Sequence, residues 1–209
     1  MLVLALGEQH RLRGGPSLPL TLVAAAQGLC LLRRLQAVRR APPRGWGGFL
    51  GLLGALAWLP FALPLPLLIL LRRPRGLRPG DSVCGVLYVV GFWVSHGAST
   101  QRALFARDPH DPRLAGLPRV PTATGRVLLA GGWWGLVRRP DHLGELLMAL
   151  GWSLPCGLSP PLALVPVVVG AALREHRASV AERRCRRELG RGWDLLCRRV
   201  PHRLLPHIY

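Results

Sequence analysis

The chain has 209 residues, 50% of them hydrophobic, a formal net charge of +18 and a sequence pI near 11.7. A soluble domain this basic would point to nucleic acid, but its apolar runs are longer than a small soluble core uses, so no nucleic-acid partner is expected. The five cysteines, Cys30, Cys84, Cys156, Cys185 and Cys197, form no CxxC pair and no metal spacing, so neither a metal site nor a disulfide framework is expected.

Residues 1–16 form a polar, Gly-rich lead with too short an apolar run, and no basic start, for a signal peptide. Leu18 to Leu32 is apolar but short for a membrane span, and Arg33-Arg34 closes it. Gly45 to Leu71 is the longest run without charge, long enough to cross a bilayer with tilt. Pro60, Pro64 and Pro66 should kink it, and Arg72, Arg73, Arg75 and Arg78 close it. Val83 to Val94 is apolar and leads to His96, Arg102 and Arg107; Asp108 to Thr124 reads as a Pro-rich loop. Val127 to Val137 carries Trp133 and Trp134, an interfacial anchor pattern. Leu143 to Leu173 is apolar apart from Glu145 and reads as two membrane helices joined by a turn at Pro155-Cys156-Gly157 and Pro160-Pro161. Arg174 to Arg199 is strongly basic, with Leu173, Val180, Leu189, Trp193 and Leu196 forming a broken apolar face of an interfacial or cytosolic helix. The expected fold is all-α: a polytopic integral membrane helical bundle of about four to six apolar segments, with a basic C-terminal segment.

One stretch, Gly131 to Gly157, concentrates the chemistry. Two tryptophans lead into Arg138-Arg139, then Pro140. Proline lacks an N–H and suits a first helical turn, so a helix is predicted from about Asp141, whose charge favours the positive end of the helix dipole. Arg138 and Arg139 stay outside that helix, free to meet an anion. The plainer alternative is a basic flank seated among lipid headgroups. No GxGxxG follows a strand, so a Rossmann site is not indicated. Every cation here is arginine, with no lysine, which lowers the weight of any single one.

This stretch resembles the C-terminal signature of the sterol reductase family. The matching residues are Gly132-Trp133-Trp134-Gly135, Arg139-Pro140-Asp141-His142-Leu143-Gly144-Glu145 and Trp152-Ser153-Leu154-Pro155-Cys156-Gly157. Gly97-Ala98-Ser99-Thr100-Gln101-Arg102, the Asp111 to Leu117 segment and the ending Arg198 to Tyr209 also look like family segments. The resemblance runs from about residue 17 to the end and leans towards the Δ14-sterol reductases. Full-length members carry further membrane spans upstream, so the chain is expected to be a fragment, a truncated product or a mispredicted start.

The resemblance implies NADPH-dependent reduction of a sterol C14=C15 bond, in cholesterol biosynthesis, by a multi-pass protein of the endoplasmic reticulum or inner nuclear membrane. Sterol and membrane lipid are the expected partners. It implies cofactor contacts at Arg102 (in place of the family lysine), Leu129, Trp134, Asp141, His142 and Cys185. The proton donors it implies are Glu145 and, second, His142. An intramembrane carboxyl is a functional-site hypothesis in its own right; the plain alternative for Glu145 is a helix-end charge in the first turn.

Departures are expected to weaken cofactor binding. Ala106, Ala181, Leu189 and Leu196 stand where the family places polar contacts, a further acidic position falls near Ala55, and Asp141 and Glu188 add negative charge near the phosphates. A non-catalytic protein of the same fold, serving sterol binding or nuclear-envelope interaction, is the competing reading. An isoprenylcysteine methyltransferase-like enzyme also carries an Arg-His-Pro turn, but the SLPCG stretch and the RVPHRLLPHIY ending argue against it.

Overall fold

The computed structural model describes residues 21–29, 32, 36, 79–122, 125, 127–156 and 164–204. The expectations for the lead, for Gly45 to Leu71 and for Cys30 lie outside these residues. A helical run occupies 21–29. Then follow α1 (Pro79–Arg107), a 3-10 turn (Pro112–Leu114), β1 (Arg119–Pro121), β2 (Val127–Leu129), α2 (Trp133–Leu136) and α3 (Pro140–Ser153). A second 3-10 turn (Leu154–Cys156), α4 (Val165–Leu189) and α5 (Arg191–Arg199) complete the described elements.

Most of this is helical, as expected, but three boundaries differ. The Pro-rich loop and the apolar segment after it contribute a small antiparallel ribbon, with Arg119 opposite Leu129 and Pro121 opposite Val127. The strands are three residues each, too short to show an alternating pattern in sequence. The helix that starts at Val165 does not end with the apolar run at Leu173: α4 continues through Arg174 to Leu189, and Gly190, at φ 50°, separates it from α5. Helix α3 has 14 residues, short of the roughly 20 a span needs. Among the described residues one helix, Gly80–Arg107, is long and apolar enough to cross a membrane.

The described chain forms two compact units, Met1–Tyr88 with Ala149–Val168 and Val89–Met148 with Val169–Tyr209. In the first, the Tyr88 hydroxyl donates to the Ala26 carbonyl at 2.7 Å, and the Tyr88 ring lies 6.4 Å from that of Trp152. A Cβ on Gly151 would come within 2.8 Å of the Cys84 carbonyl oxygen, so only glycine permits this approach of α1 and α3.

In the second unit the same two helices meet through Gly91 and Gly144. A Cβ on Gly144 would stand 2.5 Å from the Gly91 oxygen and the Ser95 nitrogen, and one on Gly91 2.6 Å from the Gly144 oxygen. Gly91, Ser95 and Ala98 recur at helical spacing, so α1 offers a small-residue face where backbones can approach. The other side of α1 carries Val83, Val86, Val90 and Trp93, all exposed. A separate cluster packs Val120 and Ala130 of the ribbon region against Leu189, Trp193, Leu196 and Val200. Three of the five residues expected to form the apolar face of the basic segment thus become core; Leu173 and Val180 stay exposed.

Candidate functional site at the arginine–proline turn

Four residues of one helical stretch hold the tryptophan pair. Gly97 leaves room for the Trp133 indole, which a Cβ there would strike. The Ala98 carbonyl accepts from Trp134 Nε1 at 3.1 Å. Gln101 Oε1 accepts from the Trp133 backbone N–H at 3.0 Å, satisfying one N–H that the first turn of α2 leaves unpaired. The Arg102 guanidinium lies 5.6 Å from the Trp134 ring centroid, within cation–π range. The Gly97 to Arg102 motif and the GWWG motif are therefore two halves of one contact. Gly132, at φ 61°, makes the turn between the ribbon and α2.

The next step is Val137 to Pro140. Helix α3 begins at Pro140, as expected, with Asp141 in its first turn. The extended backbone before it pairs with the tail: Arg138 N–H donates to the His202 carbonyl and Arg139 N–H to the Arg203 carbonyl, each at 3.0 Å. Val137 and Val200, close in sequence to the paired residues, are each 1% exposed.

The two arginines, indistinguishable in sequence, then part. Arg138 turns inward: Nη1 lies 2.9 Å from Cys197 Sγ and 4.0 Å from Glu182 Oε2. It is not free to meet an anion, which corrects half of the sequence expectation. The Arg139 guanidinium has no hydrogen bond or ion pair among the described residues. Its charge reaches two groups, acting to lower the pKa of both His142 and Cys185.

The acidic residues are engaged. Asp141 Oδ2 pairs with Arg102 Nη1 at 3.4 Å, and its Oδ1 accepts from the His142 N–H at 3.1 Å. Glu145 Oε2 accepts from Arg174 Nε at 2.7 Å. His142 lies between them with Nδ1 buried and unpartnered among the described residues. Burial pushes the His142 pKa below its ordinary value, opposed by Asp141 and Glu145 and aided by Arg139 and Arg174. The Cys185 thiol is pushed up, chiefly by burial, as expected of a side chain packed against the Trp193 cluster.

Of the residues expected at a site, Arg102, Trp134, Asp141, His142 and Glu145 thus gather at the amino end of α3. Leu129 lies on β2 opposite Arg119, and Cys185 borders the α4–α5 core near Arg139. Arg174 was not singled out from sequence, and Gln101 and Arg203 stood there only within longer stretches, Gly97 to Arg102 and the arginines of the tail, although each supports this cluster. Arg174 could have been found as the first cation after an apolar run that holds a single carboxylate. Counting charges at the amino end of α3, Asp141 engages Arg102 over the Trp134 ring and Glu145 engages Arg174, which leaves the Arg139 guanidinium uncommitted among the described residues. Such a set can hold an oxyanion and a flat ring.

The chain is similar to sterol reductases in sequence. It is 40% identical over 97% of its length to "Delta(14)-sterol reductase TM7SF2" of Mus musculus, covering 50% of that protein. It is 38% identical over 74% of its length to "Delta(14)-sterol reductase LBR" of Gallus gallus, covering 24% of it. With "Delta(14)-sterol reductase erg24" of Schizosaccharomyces pombe it shares 31% identity over 78% of its length, covering 38%. The chain therefore spans half or less of the length of these curated relatives. The profile described as the ergosterol biosynthesis ERG4/ERG24 family matches residues 45–209, which takes in the tryptophan pair, the arginine–proline turn and the tail that braces it, and to this family the chain belongs.

Proposed function

We propose that the chain is a Δ14-sterol reductase-like oxidoreductase that binds NADPH at the amino end of α3 and reduces the C14=C15 bond of a sterol. The observation that carries this reading is the charge pairing that leaves Arg139 uncommitted beside His142, with Arg102 set over Trp134. The residues fit such a cofactor: a guanidinium fork matches phosphate, and Trp134 offers a flat face. The bound dinucleotide would supply hydride to C14. The chain's own part is to deliver a proton to C15, giving a tertiary cation at C14. His142 in its imidazolium form is the donor, a form that burial makes scarcer and more acidic, and Glu145, held by Arg174, keeps a negative charge one helical turn away. Val83, Val86, Val90 and Trp93 form the lipid-facing stripe of α1 in a multi-pass protein of the endoplasmic reticulum or inner nuclear membrane.

A second reading, a non-catalytic member of the fold, is favoured by one observation. Leu189 and Leu196, at positions where the family resemblance places polar cofactor contacts, are core residues 7% and 8% exposed. Titration of the detergent-purified chain with NADPH, followed by tryptophan fluorescence, separates the two. The proposal expects saturable binding that Trp134→Ala and Arg139→Ala each weaken by about tenfold, some 1.4 kcal/mol. Absence of saturable binding, or binding indifferent to both substitutions, would reject it.

A further inference from the structure

On α4, Glu175, Ser179 and Glu182 are spaced i, i+4 and i+7, so they line one face of the helix. Arg203, 24 residues beyond Ser179 in sequence, reaches all three. Its Nη1 lies 2.6 Å from Glu175 Oε1, its Nε donates to Glu182 Oε1 at 3.2 Å, and its Nη2 donates to Ser179 Oγ at 2.8 Å. The Arg203 side chain is 14% exposed and that of Glu182 16%, so this pair is sheltered from water and screening, while Glu175 is about a third exposed. The same residue's backbone carbonyl accepts from the Arg139 N–H, and its neighbour's from the Arg138 N–H. One side chain thus anchors to α4 the short stretch of chain on which the arginine–proline turn hangs.

We propose that Arg203 is a positioning residue: it straps the tail to the Glu175–Ser179–Glu182 row and thereby sets the direction in which Arg139 presents its charge. Geometry explains why a side chain so remote should matter. Residues 137–139 belong to no helix, and the Arg138 and Arg139 N–H groups both donate to the tail, while the Arg139 carbonyl accepts from Leu143 at the start of α3. A three-point guanidinium contact fixes orientation as well as position, which an ammonium cannot do. Arg138 reinforces the strap from the other side, through Cys197 and Glu182. The consequence for anion binding rests on the dinucleotide reading given above; the strap itself does not.

The test uses the full chain in detergent and has two arms. In the first, hydrogen exchange is followed at the Arg138 and Arg139 amides. Arg203→Ala should speed exchange there by at least about tenfold, because the stretch that carries their acceptor carbonyls is no longer anchored to α4. Glu175→Gln, a milder change that keeps the fold if Arg203→Ala does not, should act in the same direction, and Arg203→Lys should fall between wild type and Arg203→Ala. In the second arm NADPH is the probe. Arg203→Ala should weaken binding about tenfold, and combining it with Arg139→Ala should add less than about twofold to Arg139→Ala alone, since one acts through the other. Unchanged exchange in both Arg203→Ala and Glu175→Gln, or fully additive losses of affinity, would overturn the proposal. If wild type does not bind NADPH, the cofactor reading falls while the exchange arm still decides the strap.

Discussion

Replacing Gly144 by leucine is expected to abolish recovery of folded protein, the largest effect of any single change in the described chain. The reason is geometric. The first added carbon would stand 2.5 Å from backbone atoms of Gly91 and Ser95, and backbone cannot swing aside as a side-chain tip can. Overpacking against yielding side chains costs about 1–3 kcal/mol, and here α1 and α3 would have to separate along their shared face. Gly144→Ala is the sharper comparison. In a helix interior alanine is better than glycine by roughly 1 kcal/mol, so intrinsic propensity predicts stabilisation; the contact predicts loss. Gly85→Ala, on the same α1 but with no atom within 4 Å of the new carbon, is the control and should gain. Thermal midpoints from size-exclusion recovery in detergent would rank the variants Gly85→Ala, wild type, Gly144→Ala, Gly144→Leu. A Gly144→Leu protein as stable as wild type would mean that the helices do not meet here.

The second large effect is expected from Arg174. Its partner Glu145 is about a third exposed and its own guanidinium about a quarter, so the pair is neither freely solvated nor fully buried. Removing one partner leaves a carboxylate short of its hydrogen bond, at a cost of about 1–3 kcal/mol before the discount that partial exposure requires. Arg174→Gln should therefore destabilise more than the double change with Glu145→Gln, which leaves no unpaired charge. The electrostatic consequence reads out at His142. Arg174 helps burial hold the His142 pKa down, while Glu145 and Asp141 push it up. Without Arg174 the carboxylates act unopposed by it, so His142 should titrate at a higher pH than in wild type; Glu145→Gln should move it lower still. Because the folded value lies below the ordinary 6.5, the unfolded state binds more protons, and stability from this group is present above 6.5 and lost as pH falls. Histidine NMR titration of the three proteins checks both directions. Identical titrations would show that the Glu145–Arg174 pair does not govern His142.

Much of the site could be read in the chain because it is local. Pro140 announces the start of α3 by its own chemistry, and Asp141 follows from the dipole. The basic C-terminal segment showed Leu189, Trp193 and Leu196 as apolar, but as part of an interfacial face with Leu173 and Val180 rather than as the core they form with Val120 and Ala130. What could not be read depends on contacts far apart in sequence. Nothing local distinguishes Arg138 from Arg139; the docking of residues 202 and 203 does, by turning one to Cys197 and Glu182 and leaving the other open. The Glu145–Arg174 pair spans 29 positions, and the Arg203 strap joins a tail to a helix face that looks, by composition, like solvated charge. The boundary expected at Arg174 failed for a physical reason: arginine is a good helix former, so a change from apolar to basic residues alters the surroundings of a helix without ending it. The ribbon at Arg119–Pro121 and Val127–Leu129 is held by its packing against Trp193 and Leu196 rather than by strand propensity.

The measurement that bears most directly on the account is complementation of cells lacking Δ14-sterol reductase activity, with accumulated Δ14-sterol as the readout. The site as described should give partial clearance, because Asp141 occupies Arg102, and Leu189 and Leu196 are core residues where the family resemblance implies polar cofactor contacts. Clearance should rise on Glu188→Lys, which replaces a negative charge, paired with Arg184, by a positive one, and should vanish with His142→Phe. No clearance by the chain or by the Glu188→Lys variant, or clearance untouched by His142→Phe, would contradict the reading of the α3 amino end as a reductase site.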